Sequence, residues 1–328
     1  MTSNAPDVEA MRTMARVLTL YYEEGRNQAQ VADELGLSSA KVNRLIKQAK
    51  EQGLVEVRIH TPFQSVFGLE DRLRSGFGLQ DAVIVPKLSD DPSSELAAIG
   101  RAGSRRLLQS LRDGDVVAIS GGKAVNEVVQ ATDSKTRYDV TVVPATGGVQ
   151  GQYHTNVNYL ASELASRLGG RSYQLHAPIF VDSPEEKAAL LKVRQIREIL
   201  DRARTADIAL VGVGGVDPRT SSFFDLLSST DVDRDRIAEN TAVRGELFGH
   251  LFDTDGAPCQ PELSDRLIGV DIDDVRKVPL SIGVAAGEQK VEPIRGVLRG
   301  NYLKTLVTDE PTAAAVLKPT TNGEVTKE

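Results

Sequence analysis

Short runs of β-branched and aliphatic residues recur along most of the chain. Most are closed by glycine and followed by a stretch with helical spacing, and this alternation restricts the fold more than any other feature. The runs are Ala82–Val85, Val116–Ile119, Val140–Val143, Ile208–Val213, Leu267–Val270 and Ser281–Val284. Helical spacing marks Ser94–Leu111, Ala124–Ala131, Asn158–Leu168, Pro184–Thr205 and Glu292–Asn301. Strands alternating with helices imply a largely parallel sheet whose two faces are both covered. The expectation for residues 76–317 is therefore an α/β, Rossmann-like domain built on a mostly parallel sheet.

The first sixty residues follow a different period. Met11, Met14, Ala15, Leu18 and Tyr22 recur at three to four residues, the mark of one amphipathic helix, and Gly25 ends it. A second short helix reads Gln28–Leu35, with Val31, Ala32 and Leu35 on one side and Gly36 as its stop. Ser38 or Ser39 caps a third, whose Val42, Leu45, Ile46 and Ala49 face inward before Gly53. Helix, glycine turn, helix is the sequence form of a helix-turn-helix, whose second helix enters the major groove of DNA. Ser39, Lys41, Asn43, Arg44 and Lys47 are then left for DNA, with Ser38 at the cap. Arg44 suits guanine and Asn43 adenine, while Ser39 and Lys47 suit phosphates. Beyond Gly53, residues 54–59 alternate apolar and polar as a strand would, so the all-α unit is expected to be winged.

Charge supports this division. The 328 residues carry a net charge of −7, yet residues 1–60 hold eight bases and eight acids, and residues 41–50 hold four bases and no acid. A basic stripe is ordinarily a solvated face, but here it falls on the one helix that the geometry offers to DNA. The expected domains are a helix-turn-helix unit over 1–59, a linker over 60–75 that turns helical, an α/β domain over 76–317 and a polar, disordered tail over 318–328. No signal peptide and no apolar run of about 20 residues is present, so a cytoplasmic protein without membrane insertion is expected.

Four glycine-bearing loops follow strands: Ser120-Gly121-Gly122-Lys123, Thr146-Gly147-Gly148, Gly212-Val213-Gly214-Gly215 and Ala285 to Lys290. In open α/β sheets such loops carry ligands, because backbone amides and helix N-termini there face anionic groups. Pro218 blocks the helix that a dinucleotide fingerprint requires after Gly212, and Lys123 is followed by Ala124, so the phosphate loop of nucleotide-binding proteins is absent too. No cofactor is expected. His154, His176, His250, Asp182 and Asp253 form neither a metal set nor a nucleophile–base pair, so no catalytic and no metal residues are assigned. Asp253 reads first as part of an acidic turn, and the lone Cys259 as a packing residue.

With these residues in place, the chain resembles the SorC family of sugar-binding transcriptional regulators over about Met11 to Leu317. The resemblance rests on Val31 to Ser38 with Val42-Asn43-Arg44-Leu45, on Ala242 to Gly256, and on Gly283 to Asp309 with Gly287, Lys290 and Leu306 to Glu310. It implies that residues 76–317 are a sugar-phosphate isomerase-like, effector-binding and oligomerisation domain, with a sugar, polyol or sugar phosphate as effector, operator DNA as partner and a homodimer or homotetramer as assembly. Ser120, Gly121, Gly122, Lys123, Thr146, Gly147, Gly148, Asp253 and Lys290 are carried over as effector residues, beside Gly212 and Gly214 from the loop reading. Ala124 stands where many members have a hydroxyl, and Thr146 where members that form a Schiff base have lysine, so a covalent imine is not expected. The alternative is a sugar-phosphate isomerase or deaminase with an added helical module.

Overall fold

In the computed structural model, the structure describes residues 8–56, 64–87, 89, 91–149, 156–217, 221, 223, 227, 237, 240 and 242–319. The chain forms two compact units, Met1–Thr61 and Pro62–Glu328.

The first unit is a bundle of α1 (Val8–Leu18), α2 (Gln28–Leu35) and α3 (Ser39–Glu51). The expected inward face of α1 is corrected. Met14, Val17 and Leu20 are buried, whereas Met11 is 51% exposed and Tyr22 39%. After Leu18 the chain continues as a π-helical turn over Thr19–Glu23, and the wider turn changes the phase of the side chains. Asn27 accepts the Gln30 N–H while Gln30 returns a bond from Asn27, a capping box absent from the sequence reading. Gly36, at φ +63°, closes α2 in the left-handed conformation. Residues 54–56 are not in a strand, and the rest of the expected wing, 57–59, lies outside the described residues.

The second unit opens with α4 (Gln64–Phe77) and is organised on a seven-stranded sheet. Its strands are β1 (Asp81–Val85), β2 (Val116–Ile119), β3 (Thr141–Pro144), β4 (Arg171–Ser172), β5 (Ile208–Gly212), β9 (Leu280–Val284) and β10 (Thr305–Asp309). They lie in the order β1-β10-β9-β5-β2-β3-β4, and every pairing is parallel. Alternation along β5 explains the layers: Ala209 and Val211 join one core, Ile208 and Leu210 the other. The first core also takes residues from α4, α9 (Arg194–Arg204), α11 (Ile272–Lys277), α12 (Val291–Arg299) and α13 (Glu310–Val316); the second takes residues from α5 (Pro92–Leu108), α6 (Lys123–Ala131) and α7 (Val157–Leu168). A small antiparallel sheet, β6 (Gly245–Leu247), β7 (His250–Phe252) and β8 (Pro258–Cys259), precedes the short α10 (Pro261–Ser264).

Three expectations change here. The single helix over Pro184–Thr205 is two, α8 (Pro184–Leu191) and α9. Among its described residues α8 buries none and only leans Leu190 and Leu191, partly buried, on a small cluster, whereas α9 buries Ile196, Ile199, Leu200 and Ala203. Leu267–Val270 is no strand. Its Ile268 N–H bonds Ile179 and its Val270 N–H bonds Ala145, so its backbone divides between two neighbours and builds only isolated bridges. Conversely β10, unassigned from sequence, lies between β1 and β9 with all five residues buried. Thr305 and Thr308 break its apolar run, which hid it.

Candidate functional site

The second helix of the helix-turn-helix is α3. Ser38 Oγ accepts the Lys41 N–H at 3.2 Å and so caps it. Val42, Ile46 and Ala49 are buried, and Leu45 is half-buried. The exposed set is Ser39, Lys41, Asn43, Arg44 and Lys47, with Lys47 3.8 Å from Glu51 on its own helix. Cations and an amide thus share the outer surface of one helix whose apolar stripe is occupied, which is the chemistry that base edges and phosphates require.

In the second unit the strand order reverses between β2 and β5: from β2 the chain proceeds to β3 and β4 on one side, and from β5 to β9 and β10 on the other. Loops leaving the carboxyl ends of strands at such a point diverge and leave a crevice. There, a cavity of about 570 Å³ is lined by Gly121, Gly122, Lys123, Ala124, Gly212, Val213, Gly214 and Glu246, by the stretch from Val284 to Gly287, by Gln289 and Lys290, and by the start of α5 (Pro92, Glu95, Leu96, Ile99). The size suits a small organic ligand.

Its polar groups have distinct origins. Gly122, at φ +121°, stands before α6 with no side-chain cap, so the first amides of α6 and the Lys123 ammonium point positive charge to this end of the cavity. Ser120 does not line it. Its hydroxyl donates to the Gly121 carbonyl at 3.0 Å and accepts the Gly212 N–H at 3.2 Å, tying the ends of β2 and β5 together. Lys290 ends a 3₁₀ turn that starts after Gly287, and its ammonium lies 3.8 Å from where a Cβ on Gly215 would be. Burial pushes its pKa down, the carboxylate of Glu246 pulls it back up, and the Lys123 charge lowers it again.

Glu246 was not singled out in the sequence. A Cβ on Gly214 would lie 2.2 Å from its Oε2, so any side chain there would displace the carboxylate from this position. Backbone bonds between Gly214 and Glu246, at 2.9 and 3.0 Å, fix the two loops, and Glu246 accepts the Gly249 N–H. Burial drives its pKa up, against the lowering effects of that bond and of Lys290. A lone acid between Gly245 and Gly249 was the only available signal.

The remaining expected residues lie elsewhere. Gly147 N–H bonds Ile268 and Gly148 N–H bonds Ala177, both at 2.8 Å, and a Cβ on Gly147 would sit 2.1 Å from the Pro178 carbonyl, so this loop is packed against chain where the sequence suggested ligand. Thr146 is buried beside it. Asp253 Oδ1 accepts the N–H groups of Asp255 and Ala257 at 2.9 Å and builds a turn. His250, 6% exposed, places Nε2 2.9 Å from the Val270 carbonyl, and burial lowers its pKa. His176 and Asp182 are exposed, and His154 lies outside the described residues. Among the described residues no group of three His, Cys, Asp or Glu could hold a metal, and no helix is long and apolar enough to cross a membrane.

A family model described as "Putative sugar-binding domain" matches residues 61–318, and one for region 4 of sigma-70 matches residues 13–52. The sorbitol operon regulator of Klebsiella pneumoniae is 29% identical over 96% of this chain and 99% of its own length. The deoxyribonucleoside regulator of Bacillus subtilis is 31% identical over 95% of this chain and 99% of its own. The crystal structure of the full-length sorbitol operon regulator from Klebsiella pneumoniae superposes with a TM-score of 0.73 at 28% identity, covering 96% of this chain and all of that one. The sugar-binding domain of a transcriptional repressor from Vibrio fischeri gives a TM-score of 0.70 at 28% identity over 76% of this chain and 98% of that chain.

Proposed function

The chain belongs to the SorC family of sugar-binding transcriptional regulators, and from that premise we propose that it controls carbohydrate genes by binding operator DNA through α3 and a phosphorylated sugar or polyol in the cavity between β2, β5 and β9. The observation that carries the effector class is the placing of Lys123, Lys290 and the open N-terminus of α6 around one cavity with Glu246. Two ammonium groups and helix amides match an anion. A buried carboxylate accepts hydroxyl hydrogens, and Leu96, Ile99 and Val284 offer apolar surface to a carbon skeleton. Lys123 then does the work of the hydroxyl that Ala124 lacks.

DNA binding uses Arg44 and Asn43 for base edges and Ser39, Lys41 and Lys47 for phosphates, with Ser38 fixing the helix start. Two such helices are needed to read an operator, which makes the working form a homodimer or homotetramer acting in the cytoplasm, where its DNA is. Effector and operator binding are linked because the ligand favours one arrangement of the units. A thermal-shift panel of sugars, polyols and their phosphates tests the cavity, since a ligand of the folded state raises the melting temperature. Phosphorylated compounds are expected to raise it and Lys123→Ala to abolish most of the rise. A rise with neutral polyols alone overturns the assignment of the phosphate.

The protein is proposed to be no enzyme. Glu246, a buried carboxylate of the cavity with a raised pKa, is suited to act as a base, so turnover of a sugar phosphate that disappears in Glu246→Gln would establish the isomerase reading in its place.

A further inference from the structure

Helix α13 joins the cavity to α4, the first described element after α3 in sequence. At its start Asp309, 2% exposed, accepts the Thr312 N–H through Oδ1 at 2.6 Å, which is the cap the helix needs. Its other oxygen does something a cap does not require. Oδ2 accepts the Thr312 hydroxyl at 2.7 Å and the backbone N–H of Gly287 at 3.1 Å, and Thr312 Oγ1 accepts that same N–H at 2.8 Å. Two buried side chains thus converge on one amide of the cavity loop, at a glycine held at φ +104°.

The far end is clamped as well. Arg295, 7% exposed on α12, donates to the carbonyls of Ala315 at 2.5 Å, Val316 at 3.1 Å and Lys318 at 2.8 Å. Since α12 begins at Val291, directly after Lys290, the loop, α12 and α13 are tied into one body. On its other side α13 packs against α4, where Ser65 Oγ donates to Glu310 Oε1 at 2.8 Å.

We infer that α13 is the coupling element of the regulator. Asp309 and Thr312 are positioning residues that register the state of the Gly287–Lys290 loop, and Glu310 transmits it to α4. A ligand anion drawn to Lys290 must shift a loop whose amide is already gripped, so α13 follows and α4 follows α13. The inference rests on the reading of the cavity as an effector site, but its test needs no effector.

Hydrogen exchange of the intact protein is followed in Gly287→Ala and Thr312→Val, each alone and combined with Ser65→Ala. Either single change is expected to speed exchange of the amides from Leu69 to Leu73 in α4 about fivefold or more, the lower range of allosteric coupling. Exchange in α7, on the other core, stays as in the parent, and Ser65→Ala, which removes the hydroxyl that Glu310 accepts, cancels the added effect on α4. Unchanged α4 exchange overturns the inference, as does an equal rise in α7 or a rise indifferent to Ser65→Ala. Thr312→Val carries the test by itself if Gly287→Ala does not fold. A failure of sugar phosphates to raise the melting temperature would remove the effector reading and leave this exchange result standing.

Discussion

Glu246 and Lys290 are both penalised by burial, and their opposite pKa directions have opposite consequences for stability. Folded Glu246 keeps its proton to higher pH than the unfolded chain, so stability falls as pH rises above the ordinary carboxylate range towards its raised pKa. Folded Lys290 releases its proton at lower pH than the unfolded chain, so stability rises with pH between its depressed pKa and the ordinary lysine value. Because Glu246 is the group that holds the Lys290 pKa up, Glu246→Gln should lower it further. The pH dependence of acylation at Lys290 measures this, and an unchanged or higher midpoint contradicts the arrangement. Cys259 offers an independent check: burial first, then Asp253, raises its pKa to about 11, so at pH 8 only about one thiol in a thousand is ionised, and a thiol reagent should react far more slowly than with the unfolded chain. At the DNA helix, Arg44→Ala should cost roughly 1–3 kcal/mol of operator affinity and relax specificity at one base pair, whereas Lys47→Ala should reduce the salt slope by about one in a titration over several salt concentrations. The residues of α3 were legible because exposure there follows from helical period alone. Glu246 was not, since its meaning depends on Gly214, more than thirty positions away in the chain.

Elements were legible where a local signal dominated. Ser38, Gly36 and the stripe Val42, Ile46, Ala49 define α3 by capping and period, so Ser38→Ala should lower the stability of the first unit by about 1 kcal/mol, read by thermal melting of the intact protein. Gly147 belongs to a different class. A methyl group there meets the Pro178 backbone, and Gly147→Ala should destabilise the second unit by about 2–3 kcal/mol or more while leaving the cavity residues unaltered. A melting temperature equal to the parent's would show that the loop has room, as the sequence reading supposed. Glycine after a strand looks the same whether it faces ligand or chain, and this is why the four loops could not be ranked beforehand. The hidden β10 and the break between α8 and α9 left as little local trace: two threonines are tolerated inside a sheet, and the helix is interrupted where a half that only leans Leu190 and Leu191 on a cluster gives way to a half that enters it.

For the whole molecule, the division at Thr61 and Pro62 predicts two separable activities. The fragment Pro62–Glu328 should fold alone and keep the rise in melting temperature given by sugar phosphates to the intact protein, while losing operator binding; loss of the ligand response in the fragment would place part of the site in the first unit. Composition and period by themselves determined the two kinds of unit, the helix-turn-helix with its exposed basic face and the strand-helix alternation of a parallel sheet, because secondary structure and amphipathic pattern are written in neighbouring residues. Only the tertiary structure decided which glycine loops open onto the cavity, because that depends on the strand order β1-β10-β9-β5-β2-β3-β4 and on the reversal between β2 and β5. It likewise decided that a carboxylate from β6 meets a lysine preceding α12, and that Asp309 and Thr312 hold the loop between them, since contacts of that kind arise from packing distant segments and leave no periodic trace in the chain.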